Sequence, residues 1–282
     1  MASLPRLAVS NIAWESDEND AVVELLRREG VTGVEIAPTK WRERPFDASA
    51  ADVAAYRRSW EQRGLRVVSL QALLFGRPDL QLFANAESRA QLGDYLKRVI
   101  DFAAAVGAHA LVFGSPKNRV RGSLSMSSAM SIATDFLLDL GEYCDERRTT
   151  LCIEANPVEY GCDFVTTTTE AIALCRAVNN PSIRVNVDIG GITMAHEDAV
   201  AAIANARDAI GHYHASEPNL AEIGASSPHA DAGQALREID YANWISIEMR
   251  AAGDNIAAVA RAIARTKQSY GIMTTAETQP SS

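Results

Sequence analysis

Short apolar runs alternate with amphipathic segments along the whole chain. The strand-like runs fall at 6–14, 33–38, 65–73, 109–114, 150–155, 183–188, 211–216 and 244–249. They are brief and rich in Val, Ile and Leu, as parallel strands covered on both faces are. Helical segments lie between them, near 17–29, 49–63, 88–106, 127–147, 168–178, 198–209, 232–238 and 255–270. Their apolar positions recur at spacings of three and four, as with Val22, Leu25 and Leu26 in the first. Eight strand–helix units in one chain predict a single (β/α)8 TIM barrel, an α/β fold. A doubly wound sheet is the competing architecture, but it rarely needs eight regular units. No Pro/Gly-rich linker divides the chain, so residues 1–272 are expected to form the barrel. Residues 273–282 are polar and expected to be a disordered tail.

Four of the strand-like runs end on a chemically expensive residue. LCIEANP (151–157) carries its apolar run onto Glu154, and VNVDIGG (185–191) onto Asp188. GHYHASEPN (211–219) reaches His214, and ISIEMR (245–250) reaches Glu248. A buried, unpaired carboxylate costs several kcal/mol or more, roughly, unless a partner compensates it. In a barrel the C-terminal ends of the strands converge on one mouth, and these residues recur roughly once per βα unit. Three carboxylates and one imidazole are thereby aimed at one space. Three carboxylates that close repel one another unless a cation sits among them. The set is hard and oxygen-rich, which suits Mn²⁺ first, with Mg²⁺ or Co²⁺ as alternatives, better than a structural zinc. Taken singly, a strand-end carboxylate is often a helix cap and a lone histidine often a core residue; the conjunction on four successive strands points to a divalent metal.

Composition narrows the classes further. The 282 residues are 47% hydrophobic and 22% charged with a formal charge of −9, so the chain is acidic and carries no dense basic footprint for nucleic acid. The four cysteines, Cys144, Cys152, Cys162 and Cys175, form no CxxC pair, which argues against a zinc ribbon or redox motif. No run is long and apolar enough to span a membrane, and MASLPRLAVS has no apolar signal core, so a cytoplasmic location is expected. FGSPKNRVRG (113–122) lacks the GxxxxGK spacing of a P-loop, and no nucleotide cofactor is expected.

In its segments IEANP, NVDIGG, HASEPN and SIEMR, in that order, the chain resembles the xylose-isomerase-like TIM-barrel superfamily of sugar and sugar-phosphate isomerases and epimerases. The likeness covers about residues 6–270. The resemblance implies that Glu154, Asp188, His214 and Glu248 hold the metal, and that Glu154 and Glu248 are the acid/base pair on opposite faces of the substrate. It also implies a small sugar or sugar-like substrate and a homo-oligomer, dimer or tetramer. The acidic composition and the lack of a long apolar run imply no nucleic-acid or membrane partner. The expected reaction is isomerisation or epimerisation by proton transfer next to a carbonyl. The alternative on the same scaffold is a lyase or dehydratase acting on a keto-cyclitol, a keto-acid or an oxidised glycoside. Two departures bear on this choice. The ketose 3-epimerases of the superfamily carry a histidine three residues after the metal-binding Asp and an arginine six after the metal-binding His. Here those positions are Gly191 and Leu220. An endonuclease IV-like activity would need several more histidines than the five present, and a non-catalytic binding barrel would have no use for an intact ligand set.

Substrate contacts are expected from the loops around this quartet. Lys117 and Arg119 follow strand four and would offer an anionic or polyhydroxyl handle, against the plainer reading of a solvated basic loop. Asn156, Glu217 and Asn219 would orient hydroxyls or the imidazole, or simply cap loops. Glu35 in strand two and His229 after strand seven are candidates to reach the mouth, and Trp14, Trp41, Phe75 and Tyr160 are candidates for an apolar wall. His212 alternates onto the face of His214 one layer deeper and reads as structural.

Overall fold

The computed structural model describes residues 5–272, so the tail expected at 273–282 lies outside the described residues. Eight parallel strands close into a barrel in sequence order: β1 (Arg6–Ser10), β2 (Gly33–Ile36), β3 (Arg66–Leu70), β4 (Ala110–Phe113), β5 (Thr150–Glu154), β6 (Ile183–Asp188), β7 (Ile210–Ser216) and β8 (Trp244–Glu248). Closure through the pairing of β1 with β8 is what separates this fold from an open doubly wound sheet. Around the barrel run α1 (Asn19–Arg28), α2 (Ala50–Gln62), α3 (Ala86–Val106), α4 (Met126–Arg147), α5 (Thr168–Val178), α6 (Ile189–Met194), α7 (Ala199–Ala206), α8 (His229–Glu238) and α9 (Asn255–Tyr270).

The local chemistry explains these bounds. Side-chain caps start the long helices: Ser49 accepts from the Asp52 amide, Asn85 from Ser88, Ser125 from Ser128 and Thr167 from Glu170. Gly107 ends α3 at φ 87°, a backbone conformation that a side chain would strain. The first strand stops at Ser10 rather than running to Trp14, because Asn11 turns inward and its side chain accepts the Ala37 amide at 2.7 Å. The sixth unit contains an unforeseen helix, α6, which starts directly on Asp188: the carboxylate accepts the Gly191 amide and caps it.

The apolar residues of the strands pack outward against the helices, with Val9, Val34, Leu111, Leu151, Val187 and Ile247 essentially inaccessible. The barrel interior is unusually polar for the fold, whose centre is ordinarily filled by branched apolar side chains. Ser10, Glu35, Ser69, Asn186, His212, His214, Ser216, Ser246 and Glu248 are all buried. The register aligns them: Glu154 lies beside Asn186, Asp188 beside His214, and Ser216 beside Glu248. All four cysteines are buried and unpaired. Among the described residues no helix is long and apolar enough to cross a membrane.

Candidate metal centre and active site

Period-two alternation turns the last inward residues of β5, β6, β7 and β8 to one point above the barrel core. One ligand atom from each of Glu154, Asp188, His214 and Glu248 lies within 4.8 Å of the other three. Nδ1 of His214 is the hub. It stands 3.1 Å from Oε2 of Glu248, 3.4 Å from Oε1 of Glu154 and 3.7 Å from Oδ2 of Asp188. The histidine is sealed from solvent, while the three carboxylates keep a small exposed edge. Neighbours fix the remaining oxygens. Asn186 Nδ2 donates to Glu154 Oε1 at 2.7 Å, and the Ser216 hydroxyl donates to Asp188 Oδ1 at 2.6 Å.

The electrostatics are those of a crowded anionic site. Burial pushes Glu248 up to about 8, with Glu154 and Asp188 pushing the same way and His214 opposing them. Burial would raise Asp188 too, but the imidazole of His214 and the Ser216 and Gly191 donors hold it below its ordinary value. Burial would depress His214, yet Glu35 and Glu248 hold it well above the usual imidazole range. Positive charge at Nδ1 offsets the mutual repulsion of the three carboxylates. A proton does so in part and a divalent ion would do so more fully, and three carboxylates with one imidazole fit Mn²⁺, Mg²⁺ or Co²⁺.

The carboxylates open into a cavity of about 530 Å³, the size of a small-molecule site. Its wall includes Lys117, Asn156, Tyr160, Glu217, Asn219 and Arg250.

A family model described as the xylose isomerase-like TIM barrel matches residues 23–269. The chain belongs to this family. No curated protein matches it. Among solved structures it is similar to D-psicose 3-epimerase, at 17% identity over 94% of this chain and 99% of that one, with a TM-score of 0.78. A 3-keto-D-glucoside 4-epimerase from E. coli shares 16% identity over 94% and 99% of the two chains, with a TM-score of 0.77. An L-ribulose 3-epimerase shares 16% over 98% and 100%, also with a TM-score of 0.77. At such identities the likeness extends to the fold.

In this xylose isomerase-like barrel the other anticipated residues divide. Lys117, Asn156, Glu217 and Asn219 line the cavity, and so do the departures Gly191 and Leu220. Tyr160 is the one aromatic candidate on that wall, and its hydroxyl accepts the Asn219 amide at 3.0 Å. Arg119 does not stand at the mouth. Its guanidinium is buried and turned inward, donating to the backbone oxygens of Gly114 and Glu154. It braces the end of β5 and offers no handle to a substrate. Glu35 lies below the centre, fully buried against His212 and His214. His229 sits behind the cavity wall, with Nδ1 2.9 Å from the Tyr270 hydroxyl and Nε2 3.4 Å from Glu217. Phe75 lines a separate surface cavity, Trp41 stacks on Tyr56, and Trp14 is buried against Asn19.

Asn186, Ser216 and Arg250 also meet the site and are not among the residues expected from the sequence. Asn186 stands two residues before Asp188, and Arg250 two after Glu248, so the alternation that selected the quartet also marks Asn186. Ser216 follows His214 by the same step. Nothing in the sequence distinguishes Arg250 from an exposed arginine beyond its nearness to Glu248.

Proposed function

We propose that this protein is a divalent-metal-dependent isomerase or epimerase of a sugar or sugar-derived carbonyl compound. The observation that carries the reading is the convergence of Glu154, Asp188, His214 and Glu248, whose three carboxylates line a small-molecule cavity. The epimerase names of the three structural neighbours support the same class. Glu154, Asp188, His214 and Glu248 would hold the metal. When bound, a divalent ion supplies Lewis acidity toward a carbonyl and its neighbouring hydroxyl, several kcal/mol of charge stabilisation.

The proton work belongs to the two glutamates. Glu154 directs Oε1 to Asn186 and His214, leaving Oε2 with only a long 3.5 Å contact from Asn156. Glu248 directs Oε2 to His214, and its Oε1 accepts no hydrogen bond among the described residues. Each therefore keeps one oxygen for a substrate C–H or O–H. One removes the proton next to the carbonyl and the other returns it, inverting or relocating the centre. Lys117, Asn156, Glu217 and Asn219 would orient the substrate's polar groups. Gly191 and Leu220 stand where ketose 3-epimerases carry a histidine and an arginine, so the substrate is expected to differ from a free ketose.

Glu154→Gln and Glu248→Gln should each lower kcat by about 10²–10⁴-fold, the usual contribution of one acid or base. Circular dichroism and metal analysis of the same samples would separate lost chemistry from lost folding or lost metal. Near-native turnover in either variant would remove the acid/base assignment. Loss of one water from the substrate would instead identify a dehydratase.

A further inference from the structure

Glu35 is a carboxylate at the centre of a barrel, inaccessible to solvent, and no arginine or lysine among the described residues pairs with it. An ionised carboxylate only accepts hydrogen bonds, and every partner here can donate. Its Oε2 faces three of them: the Ser69 hydroxyl at 2.7 Å, His212 Nε2 at 3.0 Å and His214 Nε2 at 3.1 Å. Its Oε1 takes the Gln71 amide at 3.2 Å, and that amide also bonds Ser10. The strands supply this column in register. Glu35 of β2 lies beside Ser10 of β1 and Ser69 of β3, while His212 and His214 share a face of β7 two residues apart.

The pattern fixes a protonation site by elimination. With Oε2 as a shared acceptor, each histidine must carry its hydrogen on Nε2. For His214 this leaves Nδ1 pointing among Glu154, Asp188 and Glu248, the ring atom whose proton a metal would replace. The rings of His212 and His214 stand nearly perpendicular, at 84°, with centroids 5.2 Å apart. His212 therefore packs edge-on against the His214 ring as well as sharing its acceptor.

We propose that Glu35, clamped by Ser69, Gln71 and His212, is a positioning residue that locks His214 in the Nε2–H tautomer with Nδ1 presented to the metal. The inference rests on the metal-centre reading above and extends it to residues that touch neither metal nor substrate. Partners of this kind are typically worth 10–100-fold in metal affinity. The same three residues, Glu35, His212 and His214, are close enough to hold an ion of their own. The Ser69 hydroxyl and two imidazole N–H groups already fill the shared oxygen, so the column acts as a hydrogen-bonded lock.

Two measurements test it. The first is Mn²⁺ titration by calorimetry on metal-stripped wild type, Glu35→Gln and Ser69→Ala, with thermal melting as the fold check. Glu35→Gln keeps the shape but removes the charge, and should weaken Mn²⁺ binding 10–100-fold; Ser69→Ala removes one donor and should weaken it less. Unchanged affinity in a folded Glu35→Gln protein overturns the lock. The second needs no variant: nitrogen NMR of ¹⁵N-histidine-labelled wild type, before and after Zn²⁺ as a diamagnetic probe. Nε2–H on both His212 and His214, with the metal-induced shift on Nδ1 of His214, supports the lock. Absence of hydrogen from Nε2 of either histidine, or metal on Nε2 of His214, overturns it. If wild type binds neither Mn²⁺ nor Zn²⁺, the metal-centre reading fails, and the inference falls with it.

Discussion

At the residue scale, the site depends on atoms that are missing as much as on those present. Gly114, just past β4, leaves the room that Glu154 occupies: a Cβ there would collide with Oε2 of Glu154 and come within 3.4 Å of Asn156 Nδ2. Gly114→Ala should therefore displace the carboxylate while leaving the barrel intact. We expect kcat to fall about 10²-fold or more, as displacement of a reacting group by about 1 Å does, with little change in melting temperature. Full activity in Gly114→Ala would show that Glu154 does not need its present position. The quartet itself was legible in the sequence, because alternation and the once-per-unit spacing act on each residue without knowledge of its neighbours. Arg119 was misjudged for the opposite reason. Its loop does lie on the mouth side, but the direction of its guanidinium depends on two backbone oxygens that no pattern displays. Glu35 was placed on the right strand and the wrong layer, since depth in a barrel depends on register.

At the element scale, the alternation of short apolar runs with amphipathic helices was enough to recover all eight strands and the closed barrel. The misses fall where a side chain overrides the pattern, with Asn11 ending β1 early and Asp188 starting α6 inside a stretch whose two glycines suggest a loop. The outer layer has its own steric requirement. Gly233 in α8 lies so close to α9 that an added Cβ would strike the Ser269 carbonyl and stand 2.9 Å from Tyr270 Cα. These are backbone atoms and cannot rotate away. Tyr270 in turn bonds Tyr213 and His229, so the contact ties the helix layer to β7 and to the wall behind Glu217. Gly233→Ala should lower stability by about 1–3 kcal/mol, the usual cost of overpacking, a fall of very roughly 2–12 °C in melting temperature. An unchanged melting curve would mean that α8 and α9 part freely.

At the scale of the whole molecule, an acidic barrel concentrates three of its carboxylates at one end of its axis, and its chemistry depends on what neutralises them. A column of buried polar groups runs beneath them along that axis, from Ser10 and Gln71 through Glu35 to His214, in a place where most barrels put apolar packing. Such a core is costly unless fully satisfied. Its presence under the quartet is consistent with a centre built to hold a cation in one orientation. The most direct measurement is deuterium wash-in on chelator-stripped protein, with and without added Mn²⁺. A panel of ketoses, inososes and keto-acids would be incubated in D₂O and followed by NMR and mass spectrometry. Deuterium should enter a carbon adjacent to a carbonyl, with the carbon skeleton unchanged, only after Mn²⁺ is restored at about one ion per chain. Exchange that proceeds equally in the stripped protein, or no exchange with a stoichiometric metal bound, would contradict it.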